Sequence, residues 1–251
     1  MLRAATALRR MTIHAADGEL GTVTEFYFDD TAWTVRYLVV RTGSWLEDRE
    51  VLLTPTVIEA CDWDHHEIRV SLTTDQVRHS PDVSTDRPVS RRQEIEYLRH
   101  YDQPPYWMLG TDVGSAAVAL DAAMRTAAVE AEAAGAEPPT HLRSSHEVTG
   151  YRLAAEDGTI GHVRDFLIND ATWRVHYLVV DTGRWWRDQR VVFAPEWVER
   201  VSWGGHCLHV RLTRSAIQTG PLYRGEDAVT PEYEAALEQH YGTSNRRAPS
   251  P

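Results

Sequence analysis

Trp33-Thr34-Val35-Arg36-Tyr37-Leu38-Val39-Val40 decides the fold, because the chain writes it again as Trp173-Arg174-Val175-His176-Tyr177-Leu178-Val179-Val180. Both stretches are rich in β-branched and aromatic residues, which suit a pleated, half-buried strand. Thr42-Gly43 and Thr182-Gly183 end them in the same way. The offset is 140 residues, and agreement at that offset runs outward in both directions. Toward the N-terminus, Phe26 falls on Phe166, Gly21 on Gly161 and Asp17-Gly18 on Asp157-Gly158. Toward the C-terminus, Trp45 falls on Trp185, Asp48 on Asp188, Pro55 on Pro195, Trp63 on Trp203 and Leu72-Thr73 on Leu212-Thr213. Pro81 then meets Pro221, and His100-Tyr101 meets His240-Tyr241. Residues 15–101 and 155–241 share about 30 identities without a gap. Chance gives only a handful, so a domain has been duplicated.

Within each copy the hydrophobic period is two. From Leu20 to Phe28 apolar residues alternate with polar ones, as a strand with one wet face requires. Asp17-Gly18 marks a tight turn before it, and Asp29-Asp30-Thr31-Ala32 turns the chain after it. Val51-Leu52-Leu53, Val57 to Trp63 and Ile68 to Leu72 read as shorter strands. Many short strands joined by Gly and Asp turns predict a small antiparallel barrel. Helices close each copy. Thr73 caps a short one that Ser80-Pro81 ends. Ser90 to Tyr101 matches Thr230-Pro231-Glu232-Tyr233-Glu234, where Thr caps, Pro takes the first turn and the acids complement the helix dipole. The expected class is mainly β with accessory helices, in two tandem small barrels. Residues 1–110 form the first barrel with its C-terminal helix, and 141–244 the second with its own. Residues 111–140 are Ala-rich and read as a helical linker, with a weak apolar stripe that would also serve a dimerisation helix. Residues 245–251 read as a disordered tail.

Composition removes several function classes. The 251 residues contain no lysine, and all 26 basic residues are arginine. Schiff-base nucleophiles, the phosphate-loop lysine and the nucleotide-contacting lysine of kinases are therefore excluded. The net charge of −11 argues against sequence-independent nucleic-acid binding, which needs a basic face. The charge is uneven: residues 12–110 hold 9 Arg against 18 acids, net −9, whereas 141–251 hold 13 Arg against 14 acids, net −1. Two cysteines, Cys61 and Cys207, are too few for a disulfide framework. No apolar run has the length of a signal peptide core or a membrane span, and the expected location is cytoplasmic.

The paired motifs DGELG-x-V-x-x-F…DD-x-x-W-x-VRYLVV-x-TG-x-W and DGTIG-x-V-x-DF…ND-x-x-W-x-VHYLVVDTG-x-WW resemble the PRC-barrel superfamily. The resemblance covers both copies. It implies a relationship to the cytoplasmic domain of the photosynthetic reaction-centre H subunit and to the C-terminal domain of a ribosome-maturation factor. Both are protein-interaction modules without catalytic residues in the barrel. Two departures limit what carries over: no N-terminal membrane helix is visible, and a second copy stands where the maturation factor has a different domain. The resemblance implies a fold more than a role. The expected function is a non-enzymatic scaffold in which two barrels pack as a pseudo-dimer, with a protein partner or self-association and no nucleic acid. The alternative is an accessory protein resembling the H subunit, associated peripherally with a membrane complex. No cofactor is expected.

Three groups of side chains could carry chemistry. His65-His66 and His206-Cys207-Leu208-His209 occupy the same turn, and imidazole with thiolate suits zinc or copper. This metal-binding or enzymatic reading is the third in order, because strand alternation lets only two of those ligands converge. Asp29-Asp30 and Asn169-Asp170 would suit a divalent ion, yet they stand where a turn needs local hydrogen bonds. No nucleophile elbow, metalloprotease helix or phosphate loop appears. Trp45 in the first copy, and Trp185, Trp186 and Arg187 in the second, are the candidate protein-interaction residues, since Trp and Arg dominate interface hot spots. The competing role for Trp45 and Trp185 is to cover the end of a barrel.

Overall fold

The computed structural model describes residues 1–81, 89, 91–106, 141–183 and 189–242. The expected linker and tail lie outside them. The chain divides into two compact units. The larger comprises Met1–Met11, Glu25–Tyr37 and Arg143–Pro251; the other comprises Thr12–Thr24 and Leu38–Leu142.

The first copy begins with β1 (Leu2–Ala4), α1 (Ala5–Leu8), β2 (Thr12–Ala15), β3 (Gly18–Asp29) and β4 (Thr34–Thr42). It continues with β5 (Glu50–Leu53), β6 (Ile58–Asp62), β7 (Glu67–Val70), α2 (Thr74–Arg78) and α3 (Arg91–His100). The second copy repeats the order: β8 (Leu142–Ser144), α4 (Ser145–Val148), β9 (Arg152–Ala155), β10 (Gly158–Asn169) and β11 (Val175–Asp181). Then follow β12 (Arg190–Phe193), β13 (Val198–Ser202), β14 (Cys207–Val210), α5 (Arg214–Gln218) and α6 (Pro231–Leu237).

Two seven-stranded sheets result, with the same strand order. One runs β5-β4-β3-β2-β7-β6 with β8 paired to β3; the other runs β12-β11-β10-β9-β14-β13 with β1 paired to β10. The pattern is that of two tandem barrel-like domains, although each strand path is open at its ends. Most neighbours are antiparallel as expected. The exceptions are β2 with β7 and β9 with β14, which pair in parallel. No hairpin joins these strands in sequence, so nothing local could dictate their direction.

The edge partner of β10 comes from the far end of the chain. β1 pairs antiparallel with Leu2 opposite Asn169, Arg3 opposite Ile168 and Ala4 opposite Leu167. Arg3 sits 3.6 Å from Asp170, and the N-terminal amine also meets that carboxylate. The equivalent arm of the second copy uses the equivalent ion pair, with Arg143 Nε donating to Asp30 at 2.9 Å, and adds a Ser145 hydroxyl, in place of Ala5, that accepts from the Phe26 amide at 3.1 Å. Still within the larger unit, Phe26 packs edge-on against Phe166 at 5.5 Å, and Thr34 bridges Arg174. Val35 N–H donates to the Trp173 carbonyl, and Val175 N–H to the Trp33 carbonyl.

The cores come from the inward faces of the long strands. In the larger unit Phe26, Phe28, Phe166, Leu167, Val175 and Phe193 are buried; in the other, Ile13, Leu20, Val23, Leu38, Val40 and Ile68 are. Burying each such side chain contributes about 1.5–3 kcal/mol. The expected helix caps are in place. Thr73 and Gln76 form a reciprocal capping box on α2, Thr213 accepts from Ala216 N–H on α5, and Thr230 accepts from Tyr233 N–H on α6. Among the described residues no helix is long and apolar enough to cross a membrane.

Candidate functional site

Trp45 stands in a short 3-10 turn, Ser44–Leu46, just after β4. Its ring is half-buried. The indole N–H donates to the Leu20 carbonyl on β3 at 2.9 Å, which fixes the ring's orientation. The Arg78 guanidinium, from the end of α2, lies 5.8 Å from the ring centroid, within reach of a cation–π attraction. Arg78 is itself 52% exposed and makes a long, 3.9 Å pairing with Asp75. Trp45 is thus tied to β3 through its indole N–H and has a half-exposed cation near its ring. Its counterpart Trp185, with Trp186 and Arg187, lies outside the described residues.

The histidine turns have a backbone explanation. His66 and His206 both adopt left-handed conformations, with φ of 59° and 50°. Among non-glycine residues His, Asn and Asp tolerate this region best. Their carbonyls accept from Thr12 N–H and Arg152 N–H at 2.8 and 3.0 Å, tying each hairpin tip to the neighbouring strand. The side chains are engaged separately. The His206 ring meets Tyr151 edge-on at 4.9 Å, and Cys207 is buried. His65 pairs with Asp62 at 2.9 Å. Hydrogen bonding to Asp62 raises the His65 pKa, and the His65 amide lowers that of Asp62. No group of three or more His, Cys, Asp or Glu among the described residues is arranged to hold a metal ion.

The paired acids divide between two tasks. Asp29 accepts from Thr31 and Ala32 N–H at 2.8 and 3.0 Å, and Asn169 accepts from Ala171 and Thr172 at 3.0 Å each. These are side-chain-closed turns. Asp30 and Asp170 instead anchor the two exchanged arms through Arg143 and Arg3. Arg143 also lies over the Trp203 ring at 4.1 Å. Sequence reading missed this second task. The signal was present, since Leu2-Arg3 stands 140 residues before Leu142-Arg143.

Residues 2–77 match the family model of the PRC-barrel domain. No curated protein matches the chain.

Proposed function

Since residues 2–77 form a PRC-barrel domain, repeated in sequence and strand order by the second copy, we propose that the protein is a non-enzymatic interaction scaffold. Its two copies behave as an intramolecular pseudo-dimer and offer a surface to a protein partner. The observation that carries this reading is the surface pair of Trp45 and Arg78: an aromatic ring held in place by the Leu20 carbonyl, beside a solvent-exposed cation. A preset aromatic next to an arginine loses little entropy on binding and suits an interface anchor. On sequence grounds Trp185, Trp186 and Arg187 offer a related patch in the second copy.

The pseudo-dimer part is supported by contacts between equivalent residues. Phe26 meets Phe166, Thr34 bridges Arg174, and two hydrogen bonds exchange Val35 and Val175 reciprocally with Trp173 and Trp33. Contact between a residue and its own counterpart is what a two-fold axis produces.

The test compares pull-downs from the source organism using wild-type protein, Trp45→Ala and Arg78→Glu. Arg78→Glu should leave the melting temperature within about 2 °C, because exposed ion pairs contribute little. Both variants should lose a partner that wild-type protein retains. Equal recovery of every partner by all three proteins would remove this surface from the interface. Membrane complexes in the wild-type eluate, absent with both variants, would identify the partner class as that implied by the H-subunit resemblance.

A further inference from the structure

The larger unit contains a cleft of about 590 Å³ lined by residues distant in sequence, among them Arg9, Arg164, Arg190, Arg224, Asp165 and Tyr223. Four arginines converge on one concave surface of a protein whose net charge is −11. Arg9, Arg164 and Arg224 have no side-chain ion pair or hydrogen bond among the described residues, and the Arg9 Nε is sealed from solvent without an acceptor. Two acids stand nearby, each holding hydrogen bonds from neutral groups. Asp165 accepts from the Thr6 hydroxyl at 2.7 Å and from the Phe166 amide at 2.9 Å, while Glu226 accepts from the Ala4 amide. Like charges gathered in one cleft, with one Nε buried and unpaired, form a grouping that an incoming anion would stabilise.

The repeat supplies an internal control. At the 140-residue offset, Arg164 corresponds to Thr24, Arg190 to Glu50 and Arg224 to Ser84, while Arg9 corresponds to Thr149. Val179, which also lines the cleft, corresponds to an identical Val39. The position serving the core is therefore the same in both copies, whereas the cations belong to this cleft alone. The fold does not require them.

We propose that this cleft binds a small, multiply charged phosphate-bearing anion. Guanidinium forks match phosphate oxygens in pairs, and the arginines of the cleft outnumber its acids, so a ligand with more than one negative charge suits it. A cleft of this size fits a small molecule. Burial, together with Glu226 and Asp165, pushes the Tyr223 hydroxyl up to about 12, so at neutral pH it keeps its proton and can donate to an oxyanion. The cleft shares no residue with the Trp45 and Arg78 pair, and its failure would leave the scaffold reading untouched.

Inorganic pyrophosphate titrated into the full-length protein at low, matched ionic strength is the direct probe, read by calorimetry and by melting temperature. Wild-type protein should bind saturably and melt several degrees higher. The double variant Arg164→Ala/Arg224→Ala removes two exposed side chains and should fold normally while losing affinity at least tenfold. Arg200→Ala, an arginine outside the cleft, should bind as wild type does. Absence of saturable binding to the wild-type protein, or equal binding by the double variant, overturns the proposal.

Discussion

Gly21 occupies a place that no other residue fits. Its φ is 149°, and a Cβ there would lie 2.0 Å from the Arg41 carbonyl oxygen and 2.9 Å from Thr42 Cα. In the second copy a Cβ on Gly161 would lie 2.1 Å from the Asp181 carbonyl oxygen. The obstacles are backbone atoms of the adjacent strand, which cannot swing aside as a flexible side chain can. Gly21→Ala should therefore cost about 3 kcal/mol, at the upper end of overpacking in a tight core. Gly43→Ala is the control, since its nearest neighbour would be Trp45 Cδ1 at 3.8 Å and its φ is −75°; about 0.5 kcal/mol is expected there. Chemical denaturation of both variants measures the difference, and similar losses would mean that the strands separate freely. Trp33 and Trp173 show the opposite solution to a demanding backbone. Both have left-handed φ, 50° and 57°, without being glycine. In the first copy the strain is offset by stacking on Phe28 at 5.3 Å.

The Asp-Gly dipeptide does more for its element than turn the chain. Asp17 accepts from the Thr74 backbone N–H at 2.7 Å and from its hydroxyl at 2.9 Å, and Asp157 accepts from the Arg214 N–H at 2.7 Å. Each aspartate thus ties a hairpin to the first turn of a helix 57 residues further on. The Thr74 amide holds the Asp17 pKa below its ordinary value of 3.8. A carboxyl with a lowered folded pKa stabilises the fold above its unfolded pKa, and that contribution disappears as pH falls through the folded value. The stability gap between wild type and Asp17→Asn should accordingly be present at about pH 7 and close as acidification goes below the ordinary carboxylate value of 3.8 and through the lowered one. A gap of the same size at both ends of that range would show that the carboxylate's charge is irrelevant. At this scale much was legible in advance: the period-two strands, the Thr73, Thr213 and Thr230 caps, and the 140-residue repeat. Three-residue β1 and four-residue α1 are too short to show a period, and the parallel partner of β2 is fixed only by folding of the whole sheet. The arginine cleft gathers residues from 9 to 224, so no spacing along the chain could have announced it.

For the whole molecule, the exchanged arms explain how a gapless duplication could be kept. β1 of the first copy covers β10 of the second, and β8 of the second pairs with β3 of the first. An ancestor with one copy could have made the same contacts only between two molecules, each lending its arm to the other. Joining the copies turns that association into an intramolecular one and removes its dependence on concentration. The second copy expressed alone, residues 141–242, would lack β1 and leave the Leu167–Asn169 end of β10 as a bare strand edge beside the apolar Phe166. A bare edge invites pairing with another chain. The isolated copy's own arm, Leu142–Ser144, is the segment equivalent to β1 and can reach β10 of a second molecule. Light scattering on the purified fragment should then give twice the monomer mass, and Arg143→Ala/Asp170→Ala should shift it toward monomer by removing both ends of the arm's ion pair. A folded fragment that stays monomeric at high concentration would mean that the arm is dispensable, and the two-fold contacts around Phe26 and Phe166 would then need another origin.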